Sequence, residues 1–200
     1  MTDRICGGKL PVLPVFLRLQ GRRVLLVGGG AVATQKLRSL LDAGAQVTVV
    51  APEVSSAISA EVVDVRQRPF VESDLDGACF VIAAAPRAVN RRVADAADAR
   101  GLLVNAVDDV ESASAFAGAV LRRAGVTIAI STDGAAPALA GLIREALEAV
   151  LPDDLDRWMQ CARTTRQQWL AEAVPMADRR PLLLEALVRM YEHRSPGSVQ

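Results

Sequence analysis

The first half of the chain alternates short unbroken apolar runs with stretches in which apolar residues return every three or four positions. Val24–Val27 is the first run; Val32, Ala33, Leu37, Leu40 and Leu41 then recur at helical spacing, and Gly44 stands where a helix C-terminal glycine belongs. Gln46–Val50 reads as a second, β-branched strand, and Glu61–Arg68 alternates like a half-exposed one. Cys79–Ala85 is a continuous apolar strand of the kind covered on both faces, and Leu102–Val107 reads as another buried strand. Between them Val89, Val93 and Ala97 mark a helix that Gly101 ends. Ahead of all these, Leu10–Leu19, with Pro11 and Pro14, reads as an irregular lead-in closing in an edge segment. Strands alternating with helices through residue 108 predict an α/β fold with a doubly wound parallel sheet.

From Ser112 the texture changes. Ala119–Leu121 and Val126–Ile130 predict two strands joined at Arg122–Gly125, a hairpin rather than a crossover. Ala138–Leu151 is strongly helical until Pro152 breaks it. Leu155, Trp158, Ala162, Thr165 and Trp169 line one face of a helix over 153–173, and a last helix runs from about Met176 to Arg194, with a frayed tail after it.

The junction after the first strand carries the candidate chemistry. Gly28, Gly30 and Ala33 hold the G-x-G-x-x-G/A spacing between a strand and a helix. In that arrangement the first glycine allows the turn, the second lets backbone approach a pyrophosphate, and the small third residue lets helix and strand pack closely. The free N–H groups at Ala31 and Val32, at the helix N-terminus, would face the phosphates. The acidic residue that usually meets the ribose hydroxyls belongs at the end of the second strand. Val50 and Ala51 stand there, with Pro52 and Glu53 just beyond, so Glu53 reads equally as a ribose ligand or as an exposed loop carboxylate. No arginine occupies this spot to meet a 2′-phosphate, which favours NAD over NADP. Ligands of open parallel sheets sit beyond the carboxyl ends of the strands, which groups Gly28–Gly30, Ala51–Glu53, Ala84–Arg87 and Asp108 around one crevice.

Composition narrows the class. The chain has 200 residues, 51% of them hydrophobic, enough for one sizeable core and a smaller second unit. Its net charge is zero with both signs interspersed, so nothing points to nucleic acid. Cys6, Cys79 and Cys161 are scattered and His193 is the only histidine, which argues against a zinc site, a disulfide framework or any preformed metal site. His193 matches no motif and reads as a surface residue. No signal peptide and no run of the roughly 18–20 apolar residues that cross a bilayer is present, so a soluble cytoplasmic protein is expected.

The segments LPVFLRLQGRRVLLVGGGAVATQK, AGAQVTVVAPE, NAVD and VTIAISTDGAAPALA occur in order and resemble the precorrin-2 dehydrogenase/sirohydrochlorin ferrochelatase family. The resemblance runs over about residues 10–175. It implies NAD-dependent oxidation of precorrin-2 to sirohydrochlorin in siroheme biosynthesis, and leaves open the insertion of ferrous iron, which some members perform. It also implies a homodimer built from a Rossmann-like NAD-binding domain (1–111), a small α+β dimerisation element (112–151) and an all-helical C-terminal domain (152–200). Ending before any methyltransferase domain, the chain is expected to be of the stand-alone type.

Through this resemblance Asp108 matches the aspartate of the N-x-V-D motif, Asn105 to Asp108, to which a general-base role is ascribed; on position alone it reads equally as a cap of the turn after the strand. Asp109 is expected to be a solvated or capping neighbour. Asn105 is assigned to the substrate with Arg123, a basic residue of the hairpin, and Lys36; Arg122 and Arg91 are further candidates for this acidic tetrapyrrole. Ser131 and Thr132 match the S-T-x-G-x-x-P segment, where they either receive propionates or simply cap the following helix. Asp133, Ala136 and Ala85-Pro86 depart from the family pattern around the site. Together with the weak ribose acid they motivate a rival reading, a non-enzymatic NAD-sensing module.

Overall fold

A computed structural model describes residues 12–192. Five strands form one wholly parallel sheet in the order β3-β2-β1-β4-β5: β1 Arg23–Val27, β2 Gln46–Val50, β3 Asp64–Arg66, β4 Phe80–Ala83 and β5 Leu103–Ala106. The register is in step across the middle, with Val27 opposite both Val50 and Ala83. The chain builds outward from β1 to β3, then returns to β4 on the other side. The strand order therefore reverses between β1 and β4, where such sheets open a crevice.

Both faces are covered, which is why Val24–Val27 of β1 and the whole of β4 read as unbroken apolar runs. On one face Val24, Leu26, Val47, Val49 and Ile82 pack with Ala33, Leu37 and Leu40 of helix α1 (Ala31–Asp42) and with Ile58 of the short α2 (Ser56–Ser59). On the other, Leu25, Val27, Val50, Val81, Ala83 and Val104 pack with Val93, Ala94 and Ala97 of helix α3 (Arg87–Asp98), joined by Phe70 and Leu75. Alternate residues of a strand go to opposite layers, as the period of two requires.

Some expectations shift. The alternating stretch 61–68 yields only the three-residue β3: Glu61 N–H is spent on Ile58 at the end of α2, Arg68 turns back onto Arg66, and Val62 is fully exposed. Residues 12–19 form no edge strand; Val12, Leu13, Val15, Phe16 and Leu17 are exposed and only Leu19 is buried. The edge beside β5 is closed by irregular chain instead. Ser114 and Ala115 N–H groups donate to the Val104 carbonyl (3.0 Å each), and Ser114 Oγ accepts from Val104 N–H (2.9 Å).

The chain divides after Ala117 into two compact units. In the second, β6 (Ala119–Arg123) and β7 (Val126–Ile130) form an antiparallel hairpin, and α4 (Pro137–Val150), α5 (Leu155–Ala171) and α6 (Met176–Glu192) follow. The hairpin turn is only Ala124-Gly125, both at positive φ (51° and 81°), the two-residue geometry that suits strand twist. Arg122 and Arg123 therefore belong to the strand rather than to the expected four-residue turn. Trp158 of α5 donates through Nε1 to the Tyr191 hydroxyl of α6, which donates to Asp154 Oδ1 (2.9 Å). His193, Cys6 and the tail lie outside the described residues.

Candidate active site

Each of the three glycines after β1 has a different reason to be glycine. Gly28 has φ +133°, and a Cβ there would collide with the Ala84 carbonyl at the end of β4. A Cβ on Gly29 would strike the Glu53 carbonyl, while Ser55 N–H donates to the Gly29 carbonyl (2.8 Å). A Cβ on Gly30 would meet nothing within 4 Å. Gly30 caps α1 without a side chain, and the first turn carries no acid. The N–H groups of α1's first turn, at the exposed Ala31 and Val32, thus have neither a capping oxygen nor a carboxylate to meet, and open space adjoins Gly30. Ala33, fully buried, fills the small third position of the motif. These residues fit a dinucleotide pyrophosphate.

The loop after β2 is fastened onto the glycines. Thr34 Oγ1 donates to the Gly30 carbonyl (3.0 Å) and pairs with Ser55 Oγ (2.9 Å), while Ser55 caps α2. Pro52 and Glu53, both exposed, are thereby held beside the glycine turn. Lys36 lies half-buried one turn beyond Val32 on the same helical face.

Across the switch point, the ends of β4 and β5 are stitched by one side chain. Asn90 of α3, 2% exposed, accepts from Ala85 N–H (2.9 Å) and donates to the Val107 carbonyl (3.1 Å). Asn105, also buried, donates from Nδ2 to the Ala115 carbonyl (2.9 Å), while its buried Oδ1 finds no partner among the described residues. Such an acceptor is completed by a ligand N–H or a water.

Asp108 follows, exposed and at φ +58°. Of the solvated or capping roles expected for Asp109, the solvated one is excluded: it is 3% exposed. Its Oδ2 accepts from Ser112 Oγ (2.9 Å) and lies 3.9 Å from Arg87 Nε. The Ser112 hydroxyl, backed by the charges of Arg87 and Arg91, holds its carboxyl below the usual carboxylate range.

The first unit therefore brings Gly28, Gly30, Ala31, Val32, Pro52, Glu53, Asn105 and Asp108 to the carboxyl-end half of one sheet. In the second unit Arg123 donates to Asp153 Oδ1 (2.9 Å) and to the Leu151 carbonyl at the end of α4 (3.3 Å). Ser131 Oγ accepts from Asp133 N–H (3.0 Å), and Thr132 Oγ1 from Ala136 N–H (3.2 Å), just ahead of α4. Asn90, the Thr34–Ser55 pair and the burial of Asp109 escape sequence reasoning. Asn90 alone leaves a trace, a polar residue within the apolar stripe that Val93, Ala94 and Ala97 continue.

A parallel sheet whose first strand–helix turn offers bare backbone at the switch point defines a dinucleotide-binding α/β protein. Consistent with this, residues 15–119 match the family described as "Putative NAD(P)-binding", and residues 123–149 match "Sirohaem biosynthesis protein central". The siroheme synthase of Photorhabdus laumondii is 43% identical over 173 residues, 84% of this chain and 37% of that protein. That of Azotobacter vinelandii is 41% identical over 161 residues, 78% of this chain and 35% of its own. Among solved structures, SirC, a precorrin-2 dehydrogenase, superposes with a TM-score of 0.70 at 31% identity, covering 87% of this chain and 88% of that one. The chain belongs to the precorrin-2 dehydrogenase family of siroheme biosynthesis, and spans just over a third of the length of the siroheme synthases it matches.

Proposed function

We propose that the chain oxidises precorrin-2 to sirohydrochlorin, with NAD⁺ as the hydride acceptor and one proton released. The observation that carries this is the placement, at the carboxyl ends of one sheet, of a bare glycine turn and an exposed aspartate. When bound, the nicotinamide supplies the hydride chemistry. Gly28, Gly30, Ala31 and Val32 receive the pyrophosphate on backbone N–H groups, and Pro52 and Glu53 lie at the ribose. Asp108 takes the proton from the macrocycle as hydride leaves. The orphaned Oδ1 of Asn105 accepts from an N–H of the bound ligands. Lys36 in the first unit, and Arg123, Ser131 and Thr132 in the second, are assigned to substrate carboxylates on the strength of the family resemblance; Arg123 is also bonded to Asp153. Ferrous iron, if the chain inserts it, is a substrate whose uptake again calls on Asp108, to remove pyrrole protons.

The reading includes a cytoplasmic homodimer. Helix α4 buries only Ala140 and exposes Leu139, Leu142, Ile143 and Val150, an apolar face suited to a second copy. Purified protein given precorrin-2 and NAD⁺ without oxygen, with and without Fe²⁺, tests the activity. Sirohydrochlorin and NADH should appear together, and siroheme only if iron is inserted. A chain that binds NAD⁺ but no tetrapyrrole is a nucleotide sensor, and that result overturns the proposal.

A further inference from the structure

We propose that Asp109 is a positioning residue that decides which of two adjacent carboxylates is presented at the end of β5, holding itself inside so that Asp108 stands outside. The proposal rests on the reading of Asp108 as the proton acceptor.

The segment 106–109 is a reverse turn closed by Asp109 N–H donating to the Ala106 carbonyl (3.4 Å). Asp108 occupies its third position at φ +58°, a left-handed conformation that such turns ordinarily give to glycine. Aspartate adopts it more readily than most side chains, yet the strain persists only where the surroundings over-determine it. They do so on both sides. Upstream, Val107 is pinned twice, its N–H on the Ala83 carbonyl (2.9 Å) and its carbonyl on Asn90 Nδ2 (3.1 Å). Downstream, the Asp109 carboxylate is buried, with the Ser112 hydroxyl on Oδ2 and Arg87 beyond. Asp108 itself is exposed.

Two acids in succession give the turn an alternative. With the Val107–Asp108 peptide rotated, the φ of residue 108 changes sign, Asp108 relaxes out of the left-handed region and the outward carboxylate is no longer the one the crevice needs. Ser112 and Arg87 act against that alternative, because they reward only the arrangement in which Asp109 is inside. Asp109 touches neither proposed ligand; it acts through the backbone of its neighbour.

The experiment is a double-mutant cycle on the full chain, with turnover and NAD⁺ affinity read separately. Asp109→Ala should lower kcat by about 10- to 100-fold, the cost of a catalytic group misplaced by about an ångström, and leave the KM for NAD⁺ unchanged. Asp109→Asn keeps an acceptor for Ser112 and should recover most of the loss. On an Asp108→Ala background, Asp109→Ala should cost nothing further. Equal losses in both backgrounds, or a native kcat in Asp109→Ala, overturn the inference. Ser112→Ala, a smaller perturbation, should show the same kcat-only loss to a lesser degree if Asp109→Ala fails to fold. An Asp108→Ala protein with native turnover refutes the base assignment separately. The crystal structure of Asp109→Ala then decides the positioning alone: residue 108 remaining at positive φ overturns it, and a relaxed residue 108 supports it.

Discussion

Substituting Gly30 by alanine separates what the glycine turn does for the fold from what it does for a ligand. Gly30 has φ −86° and ψ −168°, open to any L-residue, and its new methyl would meet no atom of the described residues within 4 Å. Two small terms act on stability. Removing a glycine restricts the unfolded chain and contributes about 0.4–1 kcal/mol. Alanine caps a helix less well than glycine, by about 0.5–1 kcal/mol. They nearly cancel, so the unliganded protein should unfold within about 0.5 kcal/mol of native. Gly28→Ala is the contrast: the residue sits at φ +133° against the Ala84 carbonyl, so strain and backbone collision together should cost about 3 kcal/mol or more. Toward NAD⁺ the order reverses. The Gly30→Ala methyl occupies the space a pyrophosphate must approach, and affinity should fall at least about tenfold, or about 1.4 kcal/mol. Denaturant unfolding without ligand and calorimetric titration with NAD⁺ measure the two effects. A Gly30→Ala protein that binds NAD⁺ natively, or that loses as much stability as Gly28→Ala, refutes the placement of the phosphates.

Further predictions concern a buried ion pair, a buried amide and an exposed apolar face. Asp74, buried between Arg68 (2.7 Å) and Arg66 (2.8 Å), has its carboxyl lowered from 3.8 to about 2, with the Arg68 hydrogen bonds the largest cause. Because the folded value is depressed, this contribution is complete above the unfolded pKa and disappears as pH falls from about 4 through about 2. It is about 2 kcal/mol, and Asp74→Asn should flatten the acid limb of a stability-versus-pH curve by that amount. Asn90→Ala strands the Ala85 N–H and the Val107 carbonyl and should cost about 2–4 kcal/mol in denaturant unfolding; a loss under about 1 kcal/mol would show that water replaces the amide. On the proposed homodimer, Leu142→Glu on the exposed apolar face of α4 should sediment as a monomer and the native chain as a dimer; a monomeric native chain refutes the dimer, and a dimeric variant places its interface elsewhere.

The sheet was legible because parallel strands covered on both faces must be largely apolar: Val24–Val27 and Cys79–Ala85 are wholly so, and Asn105 alone interrupts Leu102–Val107. Glycines at 28, 30, 44 and 101 punctuated it correctly for the same local reasons. Strand lengths were less legible. Pairing stops where backbone groups find other partners, as Glu61 does with Ile58, and no hydrophobic period records that. The hairpin turn shortened to Ala124-Gly125 because two residues at positive φ suffice to reverse twisted strands. At the site, the residues answering to backbone geometry were visible in sequence, while those answering to distant partners were not. Asp109 looks solvated beside Asp108 until Ser112 and Arg87 are brought to it, and Thr34 meets Ser55 only because the loop after β2 folds onto the glycine turn.

In the proposed reaction the crevice oxidises a tetrapyrrole with Asp108 as proton acceptor. The rate of NADH formation from precorrin-2 by Asp108→Asn, at saturating NAD⁺ with cofactor affinity measured alongside, tests it most directly. NAD⁺ binding should stay native while turnover falls by about 10²–10⁴-fold, the range general-base catalysis supplies. Native turnover in that variant, or no NADH from the native chain with NAD⁺ demonstrably bound, would contradict it.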